Sequence, residues 1–125
     1  RKIAKSIVEA RKVKNIETSQ ELANIIKHNK SSARVFQALR IYVNKELDNL
    51  QTAIPDILDI LDKNGRLVII SFHSLEDRIV KNLFKQYSLS SRFRLLTKKP
   101  IIPSKEEIHT NVRSHSAKMR AIEKI

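Results

Sequence analysis

Apolar residues recur at helical spacing through the first part of the chain and predict two amphipathic helices there. Ile3, Ile7 and Val8 share one side of the first helix, whereas charged side chains occupy the other side. Thr18, followed three residues later by Glu21, is typical of a capping box, because the hydroxyl and the carboxylate can each satisfy a backbone N–H at a helix start. The second helix is therefore expected to begin at this pair.

A longer helix and then a shorter one are predicted next. The longer helix is indicated by apolar residues that step by three or four positions: Phe36, Leu39, Val43, Leu47 and Leu50. Pro55 cannot donate a helical hydrogen bond and disfavours helical geometry in the residue before it, so a kink or restart is expected at 52–54. The shorter helix should stop at Asn64 and Gly65, where the only glycine of the chain is expected to adopt the left-handed conformation.

Strand patterns enter in the second half of the chain. Residues 67–72 form a continuous apolar, β-branched run, which favours a strand buried on both faces and therefore a parallel one. Ser74 is expected to cap the following helix, with Asp77 at its third helical position. A further strand is predicted at 93–97 and one helical turn at 104–107. A last strand, half-exposed, is predicted at 117–125. Helices in the first part of the chain and mixed elements in the second indicate an α/β protein. A subdomain boundary is expected around His28 to Arg34, and the long helix could belong to either subdomain.

The charge balance narrows the function, because 25 Lys and Arg residues against 13 Asp and Glu residues leave a net charge of +12. A polyanion partner is implied, and nucleic acid is favoured over a membrane surface, while a merely lysine-rich surface is the alternative.

The absence of cysteine excludes disulfides and thiolate sites. No apolar run reaches the roughly 18 residues of a membrane span, so we expect a soluble, cytoplasmic protein. Because the chain opens at Arg1 within a helical pattern, we also expect residues upstream.

Neither a metal site nor a serine hydrolase is predicted. Imidazole and carboxylate ligands could come from His73, Glu76, Asp77, His109 and His115. Their spacing matches no known ligand pattern, so the prediction is that the chain holds no metal. A hydrolase reading fails because no serine has the flanking glycines that expose a nucleophile on a sharp turn.

Longer segments of the chain are more specific than its composition. They are SARVFQALRIYVNKEL at 32–47, GRLVIISFHSLEDRIVK at 65–81, and LLTKKPIIPSKEEI with NVRSHSAKMR between 95 and 120. Together they resemble the RsmH (MraW) family, which uses S-adenosyl-L-methionine to methylate the N4 amine of a cytosine in 16S ribosomal RNA. The resemblance extends over nearly the whole chain, and SFHSLEDR is its most specific part.

The resemblance implies a class I (Rossmann-like) methyltransferase sheet with a helical domain inserted into it. Residues 1–30 would be part of that inserted domain, and residues 31–125 would be the C-terminal half of the α/β domain. The strands at 67–72 and 93–97 would be parallel, and the last strand would be antiparallel. Since ligands of open α/β sheets lie beyond the carboxyl ends of the strands, the loop at 73–78 is expected on the functional rim.

The resemblance also assigns expected roles to side chains, with 16S ribosomal RNA or the small ribosomal subunit as partner. His73 and Ser74 are candidates for orienting the substrate, while no catalytic residue is assigned. The RNA-binding candidates are Arg34, Gln37, Arg40, Asn44, Arg78, Lys98, Lys99, Arg113, Lys118 and Arg120. For these residues a solvated or salt-bridged surface is the alternative, and for Ser74 and Asp77 the alternative is helix capping alone.

No contact with the methyl donor is expected in this chain. The glycine-rich loop of the family cannot be formed by a chain that has a single glycine. The chain by itself is therefore expected to be inactive and to lack donor binding. The alternative function is a non-catalytic, basic RNA-binding module, which an upstream glycine-rich strand–turn–helix would exclude.

Overall fold

The computed structural model describes residues 2–26 and 32–125, which form two compact units, Arg1–Asn44 and Lys45–Ile125. The helices are α1 Lys2–Val13, α2 Ser19–Ile26, α3 Ser32–Val43, α4 Glu46–Ile60, α5 Ser74–Tyr87 and α6 Lys105–Thr110. The strands are β1 Arg66–Ser71, β2 Phe93–Leu95 and β3 Lys118–Lys124, and a short 3₁₀ helix, Val112–Ser116, precedes β3. Most of the predicted boundary segment, 28–31, lies outside the described residues.

The first unit contains α1, α2 and α3, and α1 packs against α2. The predicted capping box is confirmed: the Glu21 N–H donates to Thr18 Oγ1 over 3.1 Å, and Glu21 Oε2 accepts from the Thr18 N–H over 3.1 Å. Lys14 Nζ also donates to Glu21 Oε1 over 2.8 Å. The hydrogen bond from Lys14, followed by those from the backbone, lowers the pKa of Glu21 to about 2. Ile26, the last residue of α2, has a fully buried side chain.

The predicted single helix from Phe36 to Leu50 is wrong. Helix α3 ends at Val43, and Lys45 adopts a left-handed backbone conformation with φ 51° before α4 begins. No proline or glycine marks this break, so the apolar spacing runs through it unchanged. The chain divides into its two compact units between Asn44 and Lys45.

The predicted restart of the helix before Pro55 is also wrong, because α4 continues through Pro55. A proline in a helix interior costs about 3 kcal/mol, through its lost hydrogen bond and a steric clash. Ile54 and Leu58 on either side of it are 1% and 0% exposed, and both belong to the core of the second unit. The burial of these side chains offsets the local cost, and tertiary packing overrides helix propensity at this site.

The turn between α4 and β1 differs from the prediction in its chemistry. Asn64, with φ 65°, is the left-handed residue, and Gly65 has no positive φ. Glycine is required for a different reason: a Cβ atom on Gly65 would lie 2.7 Å from the carbonyl oxygen of Asp62. Lys124 Nζ then donates to the carbonyl oxygens of Asp59 and Leu61, over 3.1 Å and 2.5 Å, and so satisfies the end of α4.

The strands form a three-stranded sheet in the order β1-β3-β2, and β3 runs antiparallel to both neighbours. The antiparallel direction predicted for the last strand is confirmed. Strands β1 and β2 therefore point the same way, as predicted, although within the described part of the chain neither has a parallel partner. Because β3 is central, Arg120, Ala121, Ile122 and Glu123 are all buried, and the prediction of a half-exposed strand is wrong.

The core of the second unit lies between one face of this sheet and the helices α4 and α5. Its buried members are Ile54, Leu58, Val80, Phe84, Phe93 and Ile122. The opposite face of β1 carries Val68 and Ile70, which are 50% and 54% exposed. The prediction that β1 is buried on both faces is therefore wrong, because within the described residues of the second unit the helices pack on one face of the sheet only.

Candidate functional site

The loop after β1 holds the most specific sequence motif, and its geometry is set by a capping box. His73 Nδ1 accepts from the Glu76 N–H over 3.3 Å, while Glu76 Oε2 accepts from the N–H groups of Phe72 and His73 over 2.9 Å and 3.2 Å. His73 has an extended backbone, with φ −141° and ψ 163°, and is the N-cap of α5. The prediction that Ser74 is the cap is wrong. Ser74 is instead the first helical residue, and it is exposed.

The hydrogen bond at Nδ1 determines what the His73 ring can do. When Nδ1 accepts, a neutral imidazole carries its proton on Nε2 and is a donor there. Nε2 is buried and lies 3.3 Å from Glu76 Oε1, at an angle that makes no hydrogen bond with any described group. The His73 side chain is 15% exposed. The ring is thus a positioned N–H donor at the end of β1 rather than a free base.

Glu46 is a further member of this rim that the sequence analysis did not identify. One ligand atom each from Glu46, His73 and Glu76 lie within 4.8 Å of one another. A metal ion would need the Nε2 lone pair, which the neutral ring lacks while Nδ1 caps the helix, and Glu76 Oε2 is already engaged. Within this cluster, His73 Nδ1 and Glu76 Oε2 are thus engaged by the capping box. No local pattern could have revealed Glu46, because it lies on another helix, far away in the chain.

Asp77 links α5 to the central strand. Its carboxylate accepts from Arg120 Nε over 2.7 Å and from Arg120 Nη2 over 3.3 Å, and Lys118 Nζ lies 3.7 Å away. The hydrogen bond from Arg120 is the main cause that lowers the pKa of Asp77, against the effect of burial. Arg120 is 7% exposed, and its guanidinium is held in place by this carboxylate. Lys118 remains partly exposed, but it also faces Asp77.

A second charged cluster, on the opposite face of the sheet, was not predicted. Glu123 on β3 accepts from Arg94 Nη2 over 2.5 Å and from Arg66 Nε over 3.0 Å, so that one carboxylate connects all three strands. Hydrogen bonds from Arg94 and then from Arg66 lower the pKa of Glu123. The pairing is visible only in the strand register, where Glu123 lies opposite Arg66 on one side and Arg94 on the other.

The structure brings together most of the RNA-binding candidates predicted on α3. Arg34, Gln37 and Arg40 line an open concavity of about 430 Å³, together with Ala33 and Phe36. Both arginine side chains are exposed, and Gln37 is partly buried. Asn44 follows the end of the helix and is not among the lining residues. The arrangement is a short row of two cations and one amide beside an aromatic ring, which suits a phosphate and ribose backbone.

The other basic candidates belong to the second unit and are exposed. They are Arg78 on α5, Lys98 and Lys99 after β2, and Arg113 in the 3₁₀ helix. Lys98 lies at a small pocket together with Arg120. Among the residues that the structure describes, no helix is long and apolar enough to cross a lipid bilayer.

Comparison with known proteins identifies the family. The model of the MraW methylase family matches residues 1–125. The chain is 52% identical to the ribosomal RNA small subunit methyltransferase H of Coprothermobacter proteolyticus, over 99% of this chain and 44% of that protein. It is 50% identical to the protein of the same name from Ehrlichia chaffeensis, over 100% of this chain and 47% of that protein. The chain thus spans less than half the length of these relatives, and its match to the family model from end to end shows that it belongs to the MraW methylase family.

Proposed function

We propose that this chain is the RNA-facing portion of an enzyme that transfers a methyl group from S-adenosyl-L-methionine to the N4 amine of a cytosine in 16S ribosomal RNA. The family match over residues 1–125 carries this proposal. Relatives named for methylation of small-subunit ribosomal RNA support the substrate class. Because such RNA is modified where ribosomes assemble, we place the enzyme in the bacterial cytoplasm.

The architecture is consistent with the C-terminal half of a class I methyltransferase domain. The relative directions of β1, β2 and β3 are those that the resemblance implies, with two strands pointing one way and the last strand opposed. The assignment of residues 1–30 to an inserted helical domain remains a proposal. On this assignment, the loop from His73 to Arg78 follows the carboxyl end of β1 and lies on the ligand-binding rim.

We assign no contact with the methyl donor to this chain, because its residues do not fit a donor loop. Such a loop needs glycines so that its backbone can approach the ligand, and Gly65 is committed to the turn before β1, against the Asp62 carbonyl. We therefore propose that this chain alone binds RNA weakly and transfers no methyl group.

The residues that are present can hold and orient the RNA. Arg34 and Arg40 offer charged donors for phosphate oxygens, and Gln37 between them can hydrogen-bond to ribose or base. At the rim, the exposed Ser74 hydroxyl is a donor that can orient the target base, and the His73 ring, whose Nε2 is buried, positions the first turn of α5, which contains Ser74. Methyl transfer to an exocyclic amine depends on the alignment of that nitrogen, so orientation is the contribution we assign to them.

A methyl-transfer assay with the complete protein tests the proposal. Small ribosomal subunits are incubated with the complete protein and methyl-labelled donor, and the labelled nucleoside is identified after digestion. We expect label on the N4 of a cytosine, no label with this chain alone, and no micromolar donor binding by this chain in calorimetry. Label on another base would overturn the cytosine assignment. RNA binding without any label, by the complete protein, would favour a non-catalytic RNA-binding module.

A further inference from the structure

A small basic pocket lies between α5 and the ends of the two strands nearest to it. It has a volume of about 80 Å³, and its charged lining residues are Lys81, Lys85, Lys98 and Arg120. Lys81 and Lys85 are one helical turn apart on α5 and therefore point the same way. Neither lysine is among the RNA-binding residues that the sequence analysis predicted.

The positive charges of the three lysines around this pocket are not paired with carboxylates of the described residues. Its lining includes no carboxylate. Arg120 is paired with Asp77, whereas Lys81, Lys85 and Lys98 form no ion pair or side-chain hydrogen bond with any part of the chain that the structure describes. Ammonium groups gathered around one cavity repel each other, and a bound anion would relieve that repulsion.

The pocket also offers fixed hydrogen-bond donors. Arg120 Nε and Nη2 donate to Asp77, so the guanidinium plane is fixed, and Nη1 has no acceptor among the described residues. Thr97 Oγ1 accepts from the Ala121 N–H over 2.9 Å, which leaves the hydroxyl proton available to donate. The remaining lining residues, Phe84 and Leu95, belong to the core or pack against it, and apolar walls strengthen charge interactions beside them.

The size of the pocket limits the ligand. Pockets for drug-sized ligands and cofactors usually measure about 300–1,000 Å³, so a cavity of about 80 Å³ can enclose only a small group. Multiple cationic donors, a hydroxyl and no carboxylate select an oxyanion. We propose that this pocket binds one phosphate group of the RNA backbone. The identity of the polymer rests on the proposed function, whereas the phosphoryl chemistry rests on the pocket itself.

The test compares two double variants of equal charge change. Lys81→Gln with Lys85→Gln alters the pocket, and Lys63→Gln with Lys105→Gln removes two exposed lysines elsewhere in the same unit. Affinity for a single-stranded RNA oligonucleotide is measured over a range of salt concentrations. We expect the pocket variant to bind several-fold more weakly than the control, with a slope of log K against log salt shallower by about 0.7, the value for one lost phosphate contact. Equal slopes in the two variants would overturn the proposal.

Inorganic phosphate provides the second arm of the test. Its addition should shift the amide NMR signals of Thr97 and Arg120 in the unmodified chain and in the control variant, but not in the pocket variant. Lys98→Gln, an independent single change, should weaken the same shifts. Phosphate shifts without any difference in RNA affinity would mean that the pocket takes free phosphate, which would overturn the assignment to RNA.

The outcome is separable from that of the proposed function. If the complete protein methylates ribosomal RNA and the pocket variant binds RNA like the control, this inference fails and the proposed function stands. If no methylation occurs but the pocket variant loses RNA affinity and phosphate binding, the pocket assignment is supported and the methyltransferase proposal fails.

Discussion

Asp77 and Arg120 lie 43 positions apart in the chain and form a two-pronged ion pair that joins α5 to the middle strand of the sheet. Their side chains are 12% and 8% exposed. Arg120 also lines the basic pocket, so its partner helps to orient a donor there. The pair therefore connects the stability of the second unit with the geometry of the proposed phosphate site.

Removal of one member of this pair should be strongly destabilising. Asp77→Asn leaves the buried guanidinium of Arg120 without its counter-charge, and the free energy of unfolding should fall by about 3–5 kcal/mol. Chemical denaturation of the two proteins measures the difference. The control is the double variant Asp77→Asn with Arg120→Met, which removes both charges and should recover a large part of the loss. A single variant as stable as the unmodified chain would contradict the proposed role.

The same pair predicts how acid affects stability. The folded-state pKa of Asp77 is lowered below its ordinary value of 3.8, so the unfolded chain binds the proton more readily. The stabilisation by this carboxylate is therefore fully present above the ordinary pKa and is lost as the pH falls through the folded-state value. The stability difference between the unmodified chain and Asp77→Asn should stay constant from neutral pH to about pH 5 and shrink below about pH 4. A difference that shrinks between pH 7 and pH 5 would point to another group.

His73 should have two separable roles. His73→Ala removes the N-cap of α5, which should cost about 0.5–2 kcal/mol of stability, whereas His73→Asn supplies another good capping side chain. Thermal unfolding measures the stability that the N-cap contributes, and the rate of methyl transfer by the complete protein measures substrate orientation. We expect the asparagine variant to recover stability but to remain impaired in methyl transfer. Full recovery of both would reduce His73 to a capping residue.

The arginines of α3 should act on RNA through their charge. In the complete protein, Arg34→Ala with Arg40→Ala should weaken RNA binding and make the slope of log K against log salt shallower by about 1.4, from two lost contacts with single-stranded RNA. The matched control, Arg34→Lys with Arg40→Lys, preserves the charges and should keep most of the slope, while losing the forked donor geometry. An unchanged slope in the alanine variant would contradict phosphate binding by these side chains.

Some features of the fold were predictable because their causes are local. The capping pair Thr18 and Glu21 and the turn that begins at Ser104 were both predicted and are both present. In each case the donor and the acceptor lie within a few residues, so the spacing alone constrains the geometry. The strand β1 was also predicted, to within one residue at each end, from its β-branched run. Family membership followed from contiguous segments in the same way.

Other predictions failed where a contact with a distant residue decided the outcome. The last strand was predicted to be half-exposed, but the central position of β3 buries Arg120 against Asp77. The sequence carries no sign of which strand lies in the middle of a sheet.

The amino-acid sequence by itself determined where most helices and strands form, the basic character of the chain and the family to which it belongs, because periodicity, short-range capping and motif identity are properties of neighbouring residues. Only the tertiary structure decided that α3 and α4 separate at Lys45, that Pro55 stays helical, and which cations face an acid and which surround an unneutralised pocket. These outcomes depend on burial and on charges brought together from remote parts of the chain, and their free energies outweigh local preferences of about 1 kcal/mol per residue.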